Sequence, residues 1–341
     1  MIHNMTSRES WLHPLALERR IQILSSVLGN GNPSPADLAR SLDCTRAESS
    51  RHVKVLLQKK FLEKPKSGTS KNALAKPQGR PGQALRLAPR FSCAVAYLLS
   101  DEVELEFLGD RLETVGLEKI TGWKTQGELL RALRQKAAEN LSPDHPLYFC
   151  VDGLVMPDLL VSWEGMPEWK PLSTSRQKET GQWQPGGALT FTGALAMGSE
   201  LENDLFVLHW TAGLKIAHRS NGKLVLGARG TSTPIGHREL RESGNLCRCG
   251  RTNCLESLLE KPDAIAMDLV VSAVRKHLGK KCGATSLLWS GAWENAAAKK
   301  WGDFASVEFP DPGLIQKDVH RGAQKLVAEN LFRWELKRET A

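Results

Sequence analysis

Residues 235–260, IGHRELRESGNLCRCGRTNCLESLLE, place one imidazole and three thiols, His237, Cys247, Cys249 and Cys254, within eighteen positions. Zinc takes four such soft donors as a tetrahedron, and a loop this short can wrap one ion. Gly250 and Asn253 stand where a tight metal loop calls for left-handed backbone, which these two residue types tolerate best. Glu256 then falls in the first turn of an expected helix, where a carboxylate is favoured. Four protein donors leave no open coordination position, so the expected zinc is structural and not catalytic. Two plainer readings stand beside it, cysteines buried as small hydrophobes and a redox pair. Cys-x-Cys would close a strained disulfide ring, and the rest of the chain has a cytosolic look, which favours the metal.

A chain of 341 residues suits two or three domains with ample material for a core. No run of 18 apolar residues occurs, and the first twenty residues lack the apolar segment of a signal peptide, so a soluble cytoplasmic protein with no membrane partner is expected. The remaining cysteines, Cys44, Cys93, Cys150 and Cys282, are scattered singly, as reduced core residues are. The net charge of +8 is uneven. Residues 1–90 carry 16 basic against 6 acidic side chains, whereas the remainder carries 30 against 32. A basic module on a near-neutral body points to a polyanion at the N-terminal end, and a general solubilising excess would be spread more evenly.

Within that module, LALERRIQILSSVL (15–28) keeps its apolar residues mostly on one helical face. A second short helix follows, with Ser34 as cap and Pro35 at the first helical position. A third begins at Thr45, an expected N-cap forming a capping box with Glu48. It buries Val53, Leu56 and Leu57 and presents Arg46, Ser49, Ser50, Arg51 and Lys54. This is a helix-turn-helix whose third helix is small and basic enough at its start to enter a major groove. Beyond it, Phe61-Leu62, a Gly/Ser/Lys-rich tip and a returning strand at 84–87 outline a wing. Thr45, Arg46, Ser49, Ser50 and Arg51 are assigned to DNA groove and backbone, with Lys54, Lys64, Lys66 and Lys71 as phosphate neutralisers. Arg80, between Gly79 and Pro81, either enters a narrow minor groove or belongs to a linker turn. A winged helix used only for protein contact is the plainer alternative.

Gly-His, a nine-residue gap, then Cys-x-Cys-Gly and Cys-x-Glu resemble the zinc signature of the ROK family, which joins bacterial sugar kinases to sugar-responsive repressors; Asn253 stands where members usually have Gly. The stretches RRIQIL, ADLAR, TRAESSRHV and GRPGQALRL resemble the winged helix of the family's repressors, and VDGLVMPD, SNGKLVLGARG and LLWSGAWENAA resemble parts of its body. The resemblance implies an α/β chain: an N-terminal winged helix-turn-helix (1–90), then a two-lobed, actin-like (ribonuclease H-like) body. Its first lobe would span 91–192, joined by the C-terminal helix 314–341. The second, 193–313, would hold the zinc loop and the homodimer contact.

The resemblance also says what a kinase would need: a carboxylate to take the sugar hydroxyl's proton, and glycine-rich turns around the nucleotide phosphates. The Asn-Asp motif falls at Thr190 and Phe191, neither of which is a base; sliding to Asn203-Asp204 recovers the letters at the start of a strand. The first phosphate loop reads VAYLLSDE without glycine, and the second reads WTAGLKIA, keeping only Gly213 and adding Lys215. Pro234 replaces the sugar-contacting Glu, and Glu164 lies near the position of the sugar-loop Asn, its match resting on position alone. Trp163, Trp169 and Trp183 form either an aromatic ligand cleft or core packing. The expected function is a dimeric repressor of double-stranded DNA, without kinase activity, answering a sugar-like or other small effector or a partner protein. The alternatives are a sugar kinase with a fused DNA-binding head and a scaffold that binds only protein.

Overall fold

The computed structural model describes residues 13–65, 84–99, 102–141, 145–156, 159–163, 165–166, 168–173, 185–201, 203–210, 214–225, 246, 252, 254–258, 268–269, 271–272, 286–291, 306–308 and 310–339. The chain divides into two compact units. One comprises Met1–Ala94, Glu106–Leu117 and Val327–Ala341, the other Val95–Leu105 and Glu118–Leu326.

The first unit opens with three helices, α1 (Pro14–Gly29), α2 (Pro35–Ser41) and α3 (Arg46–Gln58). Leu17, Ile21 and Leu24 recur at helical spacing on α1 and are buried together with Ile23 and Val27. Leu15, which the apolar pattern would place inside, is exposed. Ser34 and Asp37 form a reciprocal capping box on α2, with Pro35 in the first turn where its missing N–H costs nothing. Asp43, at φ 44°, takes left-handed backbone in the turn to α3, a conformation that a short polar side chain tolerates. Strands β1 (Leu62–Glu63) and β2 (Arg86–Leu87) pair antiparallel, Leu62 opposite Leu87. The last element, α7 (Pro312–Arg338), contributes its final turns to this unit. There Phe332 meets Phe91 edge-on at 4.9 Å, and Arg90 binds Glu335 and Glu339 while lying over the Phe61 ring. The end of the chain therefore packs with its beginning, whereas the whole C-terminal helix was expected in the lobe that starts at Phe91.

Next come β3 (Cys93–Leu98), β4 (Val103–Leu108), β5 (Thr114–Lys119), α4 (Gln126–Asn140), β6 (Leu147–Val151), a small antiparallel sheet of β7 (Gly153–Met156), β8 (Leu159–Trp163) and β9 (Leu172–Ser173), then β10 (Pro185–Thr190) and α5 (Phe191–Gly198). The chain continues through β11 (Leu205–Trp210), β12 (Leu214–Ser220), β13 (Lys223–Leu224), α6 (Leu255–Leu258), β14 (Ser286–Gly291) and β15 (Ser306–Glu308). Two five-stranded sheets result, ordered β10-β6-β3-β4-β5 and β13-β12-β11-β14-β15. Numbered within each sheet in chain order, both read 3-2-1-4-5. β11 pairs antiparallel with β12 and parallel with β14, so the sheet is mixed. The α/β class is as expected, and the repeated strand order is what a duplicated two-lobed body requires.

All six residues of β4, VELEFL, are buried, its two glutamates included. Its two carboxylates are partnered: Glu104 accepts from Gln316 Nε2 and lies 3.1 Å from His320 Nε2, and Glu106 accepts from the Thr114 hydroxyl at 2.6 Å. Cys93 and Cys150 are fully buried, and burial, with Glu106 nearby, pushes the Cys93 thiol up. Among the described residues no helix is long and apolar enough to cross a membrane.

Residues 185–187 begin β10, which pairs parallel with β6. Trp163 and Trp169 are buried, stacked edge to face at 6.0 Å, and Trp163 donates its indole N–H to Leu99 O. Their third ring is Trp123, which packs against Trp163 at 5.3 Å. Together they make core, not a ligand wall; Trp183 lies outside the described residues.

Candidate functional site

Two regions carry the chemistry expected from the sequence, the third helix of the first unit and the strand ends of the second. On α3, Thr45 caps the helix by accepting from Glu48 N at 3.1 Å, but the reciprocal half of the expected box is absent, because the Glu48 carboxylate turns instead to Arg19. Arg46, Ser50, Arg51 and Lys54 are exposed, and Thr45 is exposed at the helix entrance. At 100° per residue Arg46, Ser50 and Lys54 follow one another along one stripe, with Arg51 at its margin. Ser49 does not join them. It is fully buried, and its hydroxyl donates to Pro35 O at 2.9 Å, tying α3 to the start of α2. The expected groove contact is therefore a packing residue, small because the two helices approach closely there. Lys64 is exposed beyond β1, and Lys66, Lys71 and Arg80 lie outside the described residues.

In the second unit, a buried ion-pair cluster lies where β6 ends and β11 and β12 run alongside it. Asp152 follows β6 and is buried. Lys215 Nζ, from β12, donates to its Oδ1 at 2.7 Å, and His209 Nε2, from β11, lies 3.4 Å from its Oδ2. Burial opposes ionisation of this carboxyl, but the His209 hydrogen bond and the His209 and Lys215 charges prevail and hold it well below the usual carboxylate range. Phe191, where the resemblance set the catalytic carboxylate, begins α5 with its ring 4.4 Å from that of His209. Thr190 beside it caps the same helix, accepting from Gly193 N at 3.1 Å. Asp204, the other possible base, accepts from the Ser220 hydroxyl and Asn221 N, fixing the β12–β13 turn. These groups form an internal salt-bridge cluster with an aromatic lid over its histidine.

That cluster has a measurable consequence. Asp152→Asn leaves the Lys215 charge with a neutral partner in a buried setting, and the expected cost is about 3 kcal/mol or more in denaturant unfolding at pH 7. Because the folded carboxyl titrates below its unfolded value, its contribution is complete above the ordinary carboxylate pKa and fades as pH falls towards the depressed one. The difference between wild type and Asp152→Asn should therefore shrink below about pH 4. A pH-independent difference would contradict the charged pairing.

Of the expected zinc donors, Cys254 lies among the described residues and His237, Cys247 and Cys249 lie outside them. Cys254 is buried at the start of α6, where the Ser257 hydroxyl donates to its carbonyl at 2.7 Å. Leu246 and Thr252 form an isolated antiparallel bridge. Glu164 also lies outside the described residues.

Residues 193–278, from the start of α5 through the zinc-loop sequence, match the family described as the ROK family. That segment is similar to the ROK family. No curated protein matches this chain significantly. Among solved structures, a ROK family transcriptional regulator homologous to the E. coli MLC protein superposes with a TM-score of 0.58 at 14% identity, covering 96% of this chain and 99% of that one. A ROK hexokinase from Thermus thermophilus gives 0.44 at 14% identity over 69% of this chain and 98% of that one. A ROK family glucokinase from Streptomyces griseus, in complex with glucose and AMPPNP, gives 0.43 at 12% over 70% and 97%. The first of these shares its fold with this chain over 96% of its length.

Proposed function

We propose that this protein is a DNA-binding transcriptional regulator of the ROK family, acting as a repressor, whose body does not transfer phosphoryl groups. The observation that carries the reading is the exposed cationic stripe Arg46, Ser50, Lys54, with Arg51, on the third helix of a three-helix head closed by a two-stranded ribbon. Short basic helices held this way on two others fit a major groove, and a ribbon beside them fits the wing of a winged helix-turn-helix. The asymmetry of charge along the chain supports it, and so does the fold shared with a ROK regulator over 96% of this chain. Two heads on a homodimer would meet two half-sites, since a single recognition helix seldom supplies enough affinity.

The absence of kinase activity rests on Phe191 and on Lys215. A phenyl ring takes no proton, and Lys215, in the stretch where the resemblance expects a glycine-rich phosphate turn, is paired with Asp152. The body would instead sense a small effector, sugar-like or otherwise, or a partner protein. A structural zinc held by His237, Cys247, Cys249 and Cys254 would tie its loop; it supplies rigidity and no reaction step.

Each lysine or arginine on phosphate contributes about 0.9 to the slope of log affinity against log salt. Arg46→Ala with Lys54→Ala should therefore weaken duplex binding and flatten that slope by about two, measured by fluorescence anisotropy between 50 and 200 mM salt, roughly the range over which the effect is read. Ser49→Ala should leave the slope alone and cost about 1 kcal/mol of stability. An unchanged slope in the double variant would remove α3 from the DNA interface.

A further inference from the structure

We propose that Arg19 is the positioning residue of the DNA-binding head, setting the recognition helix on α1 without touching DNA itself. The inference rests on the DNA-binding reading above and adds to it a residue that the sequence left on the surface of the first helix.

Arg19 reaches three segments at once. Its Nε donates to Glu48 Oε1 in the first turn of α3 at 3.0 Å, and its Nη1 donates to Leu42 O, the C-cap of α2, at 3.0 Å and to Gln22 Oε1 on its own helix at 3.1 Å. Its side chain is 26% exposed, and that of Glu48 is 37%. A planar guanidinium presents these donors in a fixed fork, so the three acceptors must keep their relative places for all the bonds to form. Leu42 and Glu48 bracket the turn between the two helices of the helix-turn-helix, and Arg19 spans it from outside.

Glu48 supplies an independent argument. Its place three residues after Thr45 suits the second half of a capping box, yet its carboxylate leaves the Thr45 N–H and goes to Arg19. It is also the acid among Arg46, Ser50, Arg51 and Lys54, on a helix that must approach phosphate. Pairing with Arg19 neutralises that charge and turns it towards α1. Arg19 thus both fixes the angle of α3 and suppresses a repulsion, using donors that are then not available to DNA.

The test uses full-length protein and two probes: a duplex enriched from a random pool by the wild type, and an arbitrary duplex of the same length. Arg19→Ala should bind the enriched duplex about tenfold more weakly while keeping the wild-type salt slope, because no phosphate contact is lost. Arg19→Lys should recover little, since an ammonium cannot hold carboxylate and carbonyl in one fork. Glu48→Gln, nearly isosteric, should lose affinity too, and combining it with Arg19→Ala should cost less than the two losses multiplied. A slope reduced by about one would make Arg19 a phosphate contact and overturn the proposal. Wild-type affinity in Arg19→Ala would overturn it, as would equal losses on both duplexes with a fall in melting temperature, which marks a purely structural role. Should the wild type bind neither duplex, the DNA-binding reading fails first and takes this one with it, an outcome distinguished by the wild type alone.

Discussion

Gly322→Ala is expected to cost about 3 kcal/mol or more of the stability of the second unit, enough to leave much of it unfolded. A Cβ at Gly322, on α7, would stand 1.8 Å from Ala194 O and 2.6 Å from Gly198 N on α5; one at Gly198 would stand 1.6 Å from Asp318 O. These are backbone atoms, so no rotamer change relieves the clash, and the two helices must part. They cannot part cheaply. Every residue of α5 is buried, its C-terminal carbonyls Ala196 O and Met197 O are bound by Arg219 and Lys325, and Ala323 of α7 is fully buried. Urea unfolding followed by tryptophan fluorescence gives the result, with Gly127→Ala as the control. Gly127 lies in α4 with nothing near its missing Cβ, and alanine there should stabilise by about 0.5–1 kcal/mol. Equal stability of Gly322→Ala and wild type would show that α5 and α7 do not meet through glycine.

The second large effect concerns the proposed zinc. Structural zinc contributes on the order of 10 kcal/mol or more to the folding of the loop that holds it. Cys249→Ser replaces a thiolate by a poorer donor and is expected to yield protein without bound zinc and with a markedly lower melting temperature. Cys44→Ser, at a thiol remote in sequence from the loop, should keep one zinc per chain. Metal analysis of both by atomic emission decides it: full zinc in Cys249→Ser, or none in the wild type, would contradict the assignment.

How far the residues alone reveal this molecule depends on whether a signal is local. Caps and turns were legible. Ser34-Pro35 and Thr45 start helices where expected, and the apolar runs of β3, β6 and β11 match strands because a strand buried on both faces needs no partner information to be recognised. Non-local partners were not legible. Glu48 fits a local box, yet a guanidinium twenty-nine residues away competes for it. Ser49 looks like a groove residue until α2 covers it, and nothing near Glu104 in sequence announces its partners Gln316 and His320. That Phe191 offers no base could be read from one letter. That Asp152 pairs with Lys215 could not, because the two residues are sixty-three positions apart, one just past the end of β6 and the other on β12 of a different sheet. The doubled 3-2-1-4-5 strand order was likewise beyond any local pattern, although the resemblance to ROK proteins implied two lobes.

The central claim is that the head reads DNA while the body does not transfer phosphate. It is tested most directly by incubating the full-length protein with a random duplex library and sequencing what it retains over several rounds. The account predicts enrichment of a two-part sequence, with spacing of about one helical turn or a multiple of it between the halves, lost when Arg46, Arg51 and Lys54 are all alanine. A library that emerges as random as it entered, from protein that is folded and dimeric, would contradict it.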